Sequence, residues 1–209
     1  LGGRVLAVQA DATDQNEISR IVEETHQYFG RIDVLVNNAA TTAVGLSVEK
    51  MPVETWDDVM NVNLRGLFLF SKAVIPFFNE QKWGRIVNIG GLSSKNPLAF
   101  GAADAASKAG LLAFTRCLAA ELGPNNVTVN AVIPGLQPET ETGRDFVDRL
   151  AAAYDTDAET IIAQTIQKTL SKRNETLEEV AETVAFLCSE AGAAINGQNL
   201  NVNCGLATY

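Results

Sequence analysis

The sequence predicts a single α/β domain over residues 1–209, built on a parallel sheet with helices on both faces. Two observations carry this. Apolar runs of strand length alternate along the chain with stretches whose apolar residues recur at helical spacing. The runs Ile32–Ala39, Trp83–Gly90 and Asn126–Ile133 are continuously apolar rather than alternating. Strands buried on both faces of a parallel sheet read that way. No repeat, linker or low-complexity segment divides the chain.

The elements follow in order. Arg4–Ala10, rich in Val and Leu, reads as the first strand. Asp14 is placed to cap the next helix, with Glu17 three residues on as its capping-box partner. Ile18, Ile21, Val22, Thr25 and Phe29 mark one face of that helix, and Gly30 ends it. His26, the only histidine, sits among Glu23, Glu24 and Gln27 and reads as a surface residue. Ile32–Ala39 is a strand breaking at Asn37-Asn38, and Thr41–Met51 a loop. A long helix opens at Val53 and runs to Phe78, with Pro76 expected to kink or shorten it. The strand Trp83–Gly90 and the loop Gly91–Leu98 lead to Ala99–Leu122, helical in its C-terminal part and stopped by Gly123-Pro124. After the strand Asn126–Ile133 comes an insertion, Leu136–Ser171, helical over Asp145–Tyr154 and Ala158–Thr169. Thr176-Leu-Glu-Glu is a second capping signal before Val180–Ser189, and Gly197–Val202 is the last strand.

Composition excludes some classes. The net charge of −9 comes from acidic residues spread along the chain, which disfavours binding to a phosphate backbone and leaves nucleic acid out of the expected partners. Cys117, Cys188 and Cys204 are far apart and lack ligand spacing, so no metal site is expected, and reduced thiols in a cytoplasmic setting fit best. No apolar run approaches a membrane span.

Several motifs occur together and in order: Asn37-Asn38-Ala39 at a strand end, Trp56 with Asn63-Leu-Arg-Gly66 and Phe68, Gly84–Ile89, Ala106-Ser-Lys-Ala-Gly110, Val129–Gly135, and Ile195–Gly205. On these the chain resembles the short-chain dehydrogenase/reductase family, over nearly its whole length. The resemblance implies a Rossmann-like sheet in the order 3-2-1-4-5-6-7 and an active-site helix carrying Tyr-x-x-x-Lys. Lys108 stands at the Lys position and Asn63 at the family's Asn, whereas Asp104 and Gly91 stand where the Tyr and the Ser fall. Ser93 and Ser94 lie nearby but off register, and Thr140 falls one position late for a family Thr that contacts the nicotinamide. A bound NAD or NADP would lie against Asp11, Asn37, Ala39, Lys108, Pro134 and Gly135.

The resemblance also implies a first βαβα segment with a glycine-rich phosphate turn, which the sequence lacks. The fold is then expected to be Rossmann-like without that segment. Arg4–Ala10 then has three ways to find a partner: a first segment outside this sequence, another subunit, or the favoured one, a place directly beside Asp33–Asn38 with Val5–Ala7 hydrogen-bonded to Val34–Val36.

Three functions follow as expectations. In the first, Asp104 stays ionised beside Lys108, or acts as a base if Leu92, Leu98 and Phe100 raise its pKa. Hydride transfer is lost, no cofactor is favoured, and Asp104, Lys108 and Asn63 catalyse a cofactor-independent acid–base reaction on a small molecule. In the second, the chain is an NAD(P)-dependent oxidoreductase. In the third, it is a non-catalytic scaffold. Copies of the chain are expected to pair through helices 53–78 and 107–122.

Overall fold

A computed structural model describes residues 3–209. Four parallel strands form one sheet in the order β1-β2-β3-β4, the order the resemblance implies for its last four strands. They are β1 (Val34–Asn37), β2 (Gly84–Ile89), β3 (Val127–Pro134) and β4 (Asn199–Val202). β2 lies along β3 over six residue pairs, Gly84 opposite Val127 through Ile89 opposite Val132.

Helices cover both faces. On one, α3 (Leu67–Gln81) and α4 (Ala102–Leu122) bury Val74, Phe78, Leu118 and Leu122 against Ile86, Val127 and Val129. On the other, α7 (Leu177–Cys188) sets Leu187 against Val87 and Val132. Every residue of β3 is buried, as its unbroken apolar run requires. β1 departs from that expectation. Val34 and Val36 are exposed, because α7 reaches β2, β3 and β4 but not β1.

Arg4–Ala10 forms no strand. Among the described residues β1 is paired to β2 alone, and Val5 is 82% exposed. An apolar run becomes a strand only where it finds a ladder. This one instead runs along α1 (Gln15–Phe29), with the Arg4 guanidinium 5.6 Å from the Tyr28 ring and Gln9 O accepting from Arg20. Asp14 does cap α1, taking the amides of Asn16 and Glu17. The box itself is not closed, since the Glu17 carboxylate accepts from the Asp11 amide instead. Gly30 ends α1 in the left-handed region at φ 80°, which glycine adopts without a Cβ penalty. His26 is partly covered, its ring 4.5 Å from that of Phe77.

The long helix is continuous from Val53 to Gln81 but changes pitch. α2 (Val53–Met60) passes into a π-helical segment, Asn61–Gly66, and then into α3. Pro76 neither breaks nor shortens it. Both Pro76 and Lys72, whose carbonyl loses its amide partner, are exposed, so water can take that bond. The insertion folds as α5 (Glu141–Ala153) and α6 (Ala158–Lys168), which pack on each other through Leu136, Val147, Leu150, Ala151 and Ile161. α7 begins with the predicted capping box of Thr176 and Glu179. Among the described residues no helix is long and apolar enough to cross a membrane.

Candidate active site

The carboxyl ends of β2 and β3 open into a cavity of about 550 Å³. Its walls are the Asn38–Thr42 chain after β1, the Gly90–Ser93 turn after β2, the Pro134–Gln137 turn after β3, and one side of α4 with Asp104 and Lys108. Phe146 and Leu150 of α5 and Ile161 and Thr165 of α6 add a further wall, so the insertion forms part of the cleft. A smaller recess of about 150 Å³, lined by Ala12, Asn37, Asn63 and Gly66, lies behind it. Lys108 and Ala39 border both spaces.

Lys108 is buried, and its ammonium donates to the Ile89 carbonyl at 3.2 Å, with two further N–H donors left. Burial lowers its pKa, and Asp104 acts against that shift. Asp104 lies one turn earlier on α4 and is 7% exposed. Its pKa is raised by burial, against the opposing influence of the Thr42 hydroxyl, the Lys108 charge and the Ala43 amide. The two form no ion pair. The Asp104 pKa thus moves up rather than down, because desolvation outweighs the charge of Lys108. Of the apolar neighbours expected for Asp104, Leu92 and Leu98 line the cavity, and Phe100 does not.

Asn63 sits inside the π-helical segment, where the altered pitch turns its side chain inward. Its amide accepts from Thr41 N at 2.8 Å and donates to Thr41 O at 2.9 Å and to Ser107 at 3.2 Å. It fixes the loop leaving β1 and fronts the smaller recess rather than the large cavity. Asn37 is committed across the sheet. It donates to Asn88, which donates to Thr115 on α4. Asp11 lines neither space. Its carboxylate accepts from the amide and hydroxyl of Thr13, which lowers its pKa. Pro134 and Gly135 line the large cavity as expected. Gly91 lines it too, and a Cβ there would have the Lys108 side chain as its nearest neighbour, with Cγ at 3.6 Å. Ser93 borders the cavity, while Ser94 turns back to the Gly91 carbonyl. Thr140 caps α5 at the cavity rim.

Two residues at the site had no signal in the sequence. Glu175 is 4% exposed, and its carboxylate accepts from Gly135 N and from Gln137, each at 2.6 Å, so it fastens the turn after β3. Thr42 lies against Asp104. Each is far along the chain from the residue it meets, and only the fold brings them together.

A cavity at the carboxyl ends of parallel strands, fronted by a buried lysine and an asparagine held by a change of helical pitch, defines a Rossmann-type site of the short-chain dehydrogenase/reductase class. Residues 1–207 match the family described as enoyl-(acyl carrier protein) reductase, and the chain belongs to that family. It is 38% identical to a 3-oxoacyl-[acyl-carrier-protein] reductase of Synechocystis over 209 residues, covering 100% of this chain and 78% of the relative. An NAD+-bound xylitol dehydrogenase aligns with a TM-score of 0.89 at 28% identity, covering 94% of this chain and 77% of that one. A sorbitol-6-phosphate 2-dehydrogenase from Erwinia amylovora shares the fold with a TM-score of 0.91 at 24% identity, over 97% of this chain and 79% of its own. These likenesses overturn the expectation that hydride transfer is lost in favour of a cofactor-free reaction. They point to NAD(P)-dependent oxidoreduction.

Proposed function

We propose that the chain is an NAD(P)-dependent oxidoreductase acting on a carbonyl or alcohol, with a 3-oxoacyl thioester as the best-supported substrate class. The observation that carries it is the cleft in which Lys108, Asp104 and the Pro134–Gly135 turn meet, in a chain whose relatives include 3-oxoacyl carrier-protein reductases. Gly91 and Asp104 then stand where the family resemblance places a serine and a tyrosine.

The donor set suits the nicotinamide-riboside end of a dinucleotide. Lys108 has two free N–H donors at the junction of the two spaces, and Asn38, Ala39 and Pro134 offer backbone and apolar wall beside it. It does not suit the diphosphate. Among the described residues no glycine-rich turn leads from a strand into a helix, and the start of α1 is taken by the carboxylate of Asp14. Lys108, Ala39 and Pro134 would hold the nicotinamide riboside, whose reduced ring supplies a hydride when bound. Lys108 places positive potential where negative charge develops on the reacting oxygen. Asn63 keeps the Thr41–Thr42 loop at the cavity wall. Through Phe146, Leu150 and Ile161, α5 and α6 give an acyl chain an apolar surface.

Thermal unfolding with NAD(H) and NADP(H) tests this directly. Ligand at 100 times its dissociation constant stabilises by about 2.7 kcal/mol. A shift with one nucleotide, followed by its consumption with an acetoacetyl thioester, is the expected result, and no shift with either would refute the reading.

Two further expectations belong here. Copies of the chain pair through α2–α3 and α4, where the exposed Phe68 ring lies edge-on to Phe114 at 6.4 Å. Sedimentation of the wild type against Phe68→Glu measures this, with a smaller species expected for the variant. The setting is cytoplasmic, in keeping with three free thiols.

A further inference from the structure

The oxidoreductase reading leaves one group unassigned: the source of the proton that a reduced carbonyl oxygen must acquire. Two buried polar atoms beside the cavity lack partners. Asp104 Oδ1 and Thr42 Oγ1 are each sealed from solvent without a hydrogen bond, and both residues line the cavity. They are neighbours, since the Thr42 hydroxyl acts on the Asp104 carboxyl. A buried carboxylate oxygen with no donor is costly when ionised and far less so when the group is neutral. The one charge acting on Asp104 is that of Lys108, whose ammonium is engaged by Ile89 O; α2, the Ala43 loop and the Leu92–Ser94 turn bring no other.

We propose that Asp104 and Thr42 form a proton-donating pair that takes the substrate's carbonyl oxygen, with Asp104 as the general acid. The proposal rests on the oxidoreductase reading above. In the reductive direction the carbonyl carbon gains a hydride from the reduced nicotinamide nucleotide, forming a C–H bond. The carbonyl π pair moves onto oxygen. That oxygen takes the proton of Asp104, so the carboxyl O–H bond breaks as the alcohol O–H bond forms. Asp104 is left a carboxylate, stabilised by the Thr42 hydroxyl and by Lys108 one turn away, until water regains the cavity on product release and returns the proton. In the oxidative direction the same carboxylate accepts the hydroxyl proton. Burial keeps the acid supplied with its proton above the ordinary carboxylate range, which a proton donor at neutral pH requires.

The test uses the whole chain labelled with 13C at aspartate carboxyls, with Asp104 assigned by its loss in Asp104→Asn. In the protein without nucleotide, the Asp104 resonance should stay in its protonated position above the pH where the other aspartates titrate. Thr42→Val, which removes a polar neighbour that favours the charged form, should move its midpoint further up. Asp104→Asn should lower kcat for an acetoacetyl thioester by about 100-fold or more, with nucleotide affinity by calorimetry unchanged. Wild-type kcat should fall as pH rises past the titration midpoint. An Asp104 ionised from pH 5 upward, or an Asp104→Asn enzyme with wild-type kcat, overturns the donor role and leaves the oxidoreductase reading standing. Calorimetry showing that neither nucleotide binds overturns that reading, and the donor role with it.

Discussion

Two buried ionisable residues one turn apart make the stability of this protein depend on pH in opposite senses. The folded chain holds the Asp104 proton more tightly than the unfolded chain does. That contribution is complete below the ordinary carboxylate range and is lost as pH rises through the folded value. Lys108 is the reverse. Its folded pKa is depressed, so its contribution is complete above the ordinary lysine range and is lost as pH falls through the folded value. Asp104→Asn removes the first dependence only. Urea unfolding at pH 5 and pH 8 should therefore show the variant gaining on the wild type as pH rises. Gly91→Ser makes a second test at this scale. The backbone there is extended, and a Cβ finds only ordinary contact with Lys108, so stability should change by less than about 0.5 kcal/mol in the same unfolding measurement. Lys108, Pro134 and Gly135 were legible in the sequence as cavity residues because short motifs mark them. The sign of the Asp104 shift was not, because it comes from burial that includes the Thr42 loop, distant in the chain, and not from its helix neighbour alone.

At the scale of elements, ends with their own chemistry were readable and transitions set by packing were not. Asp14, Gly30 and the Thr176–Glu179 box mark helix limits that the fold keeps. The π-helical Asn61–Gly66 segment has no such mark. It sits where Gly66 passes so close to Ala12 that a Cβ would lie 2.6 Å from its carbonyl oxygen, an approach that no local pattern reports. Glu175 is the other unannounced device. Removing it strands the Gly135 amide and the Gln137 side chain beside the cavity. Glu175→Leu should cost about 1–3 kcal/mol in denaturant unfolding. Glu175→Gln, which keeps an accepting oxygen, should recover most of the loss. Between the sheet and α3, the Phe78 ring fills the space where Gly84 has no side chain: a Cβ there would fall 2.5 Å from Phe78 Cγ. Phe78→Ala should cost about 3–5 kcal/mol, read as a lowered midpoint with an unchanged denaturant slope.

For the whole molecule, the parallel order and the two helical layers follow from the alternation of strand-like and helical segments, and the continuous apolar runs foretold which strands lie deepest. What went astray was the first strand. Arg4–Ala10 has the composition of a strand, but pairing is a property of neighbours, and none takes it up. Among the described residues β1 consequently keeps one flank without a ladder, with Val34 and Val36 bare beside it. Such an edge is a template for a foreign strand. The net charge of −9 opposes the meeting of two copies, and that repulsion works over the Debye length, about 10 Å at 0.1 M salt and about 3 Å at 1 M. Light scattering during a salt titration should therefore rise steeply for the wild type. It should stay flat for Val36→Lys, which sets a charge on the bare flank. Within the described residues, four of them, Val34–Asn37, set two tendencies against each other: an unpaired flank that invites a neighbour and a charge that repels it, with salt deciding between them.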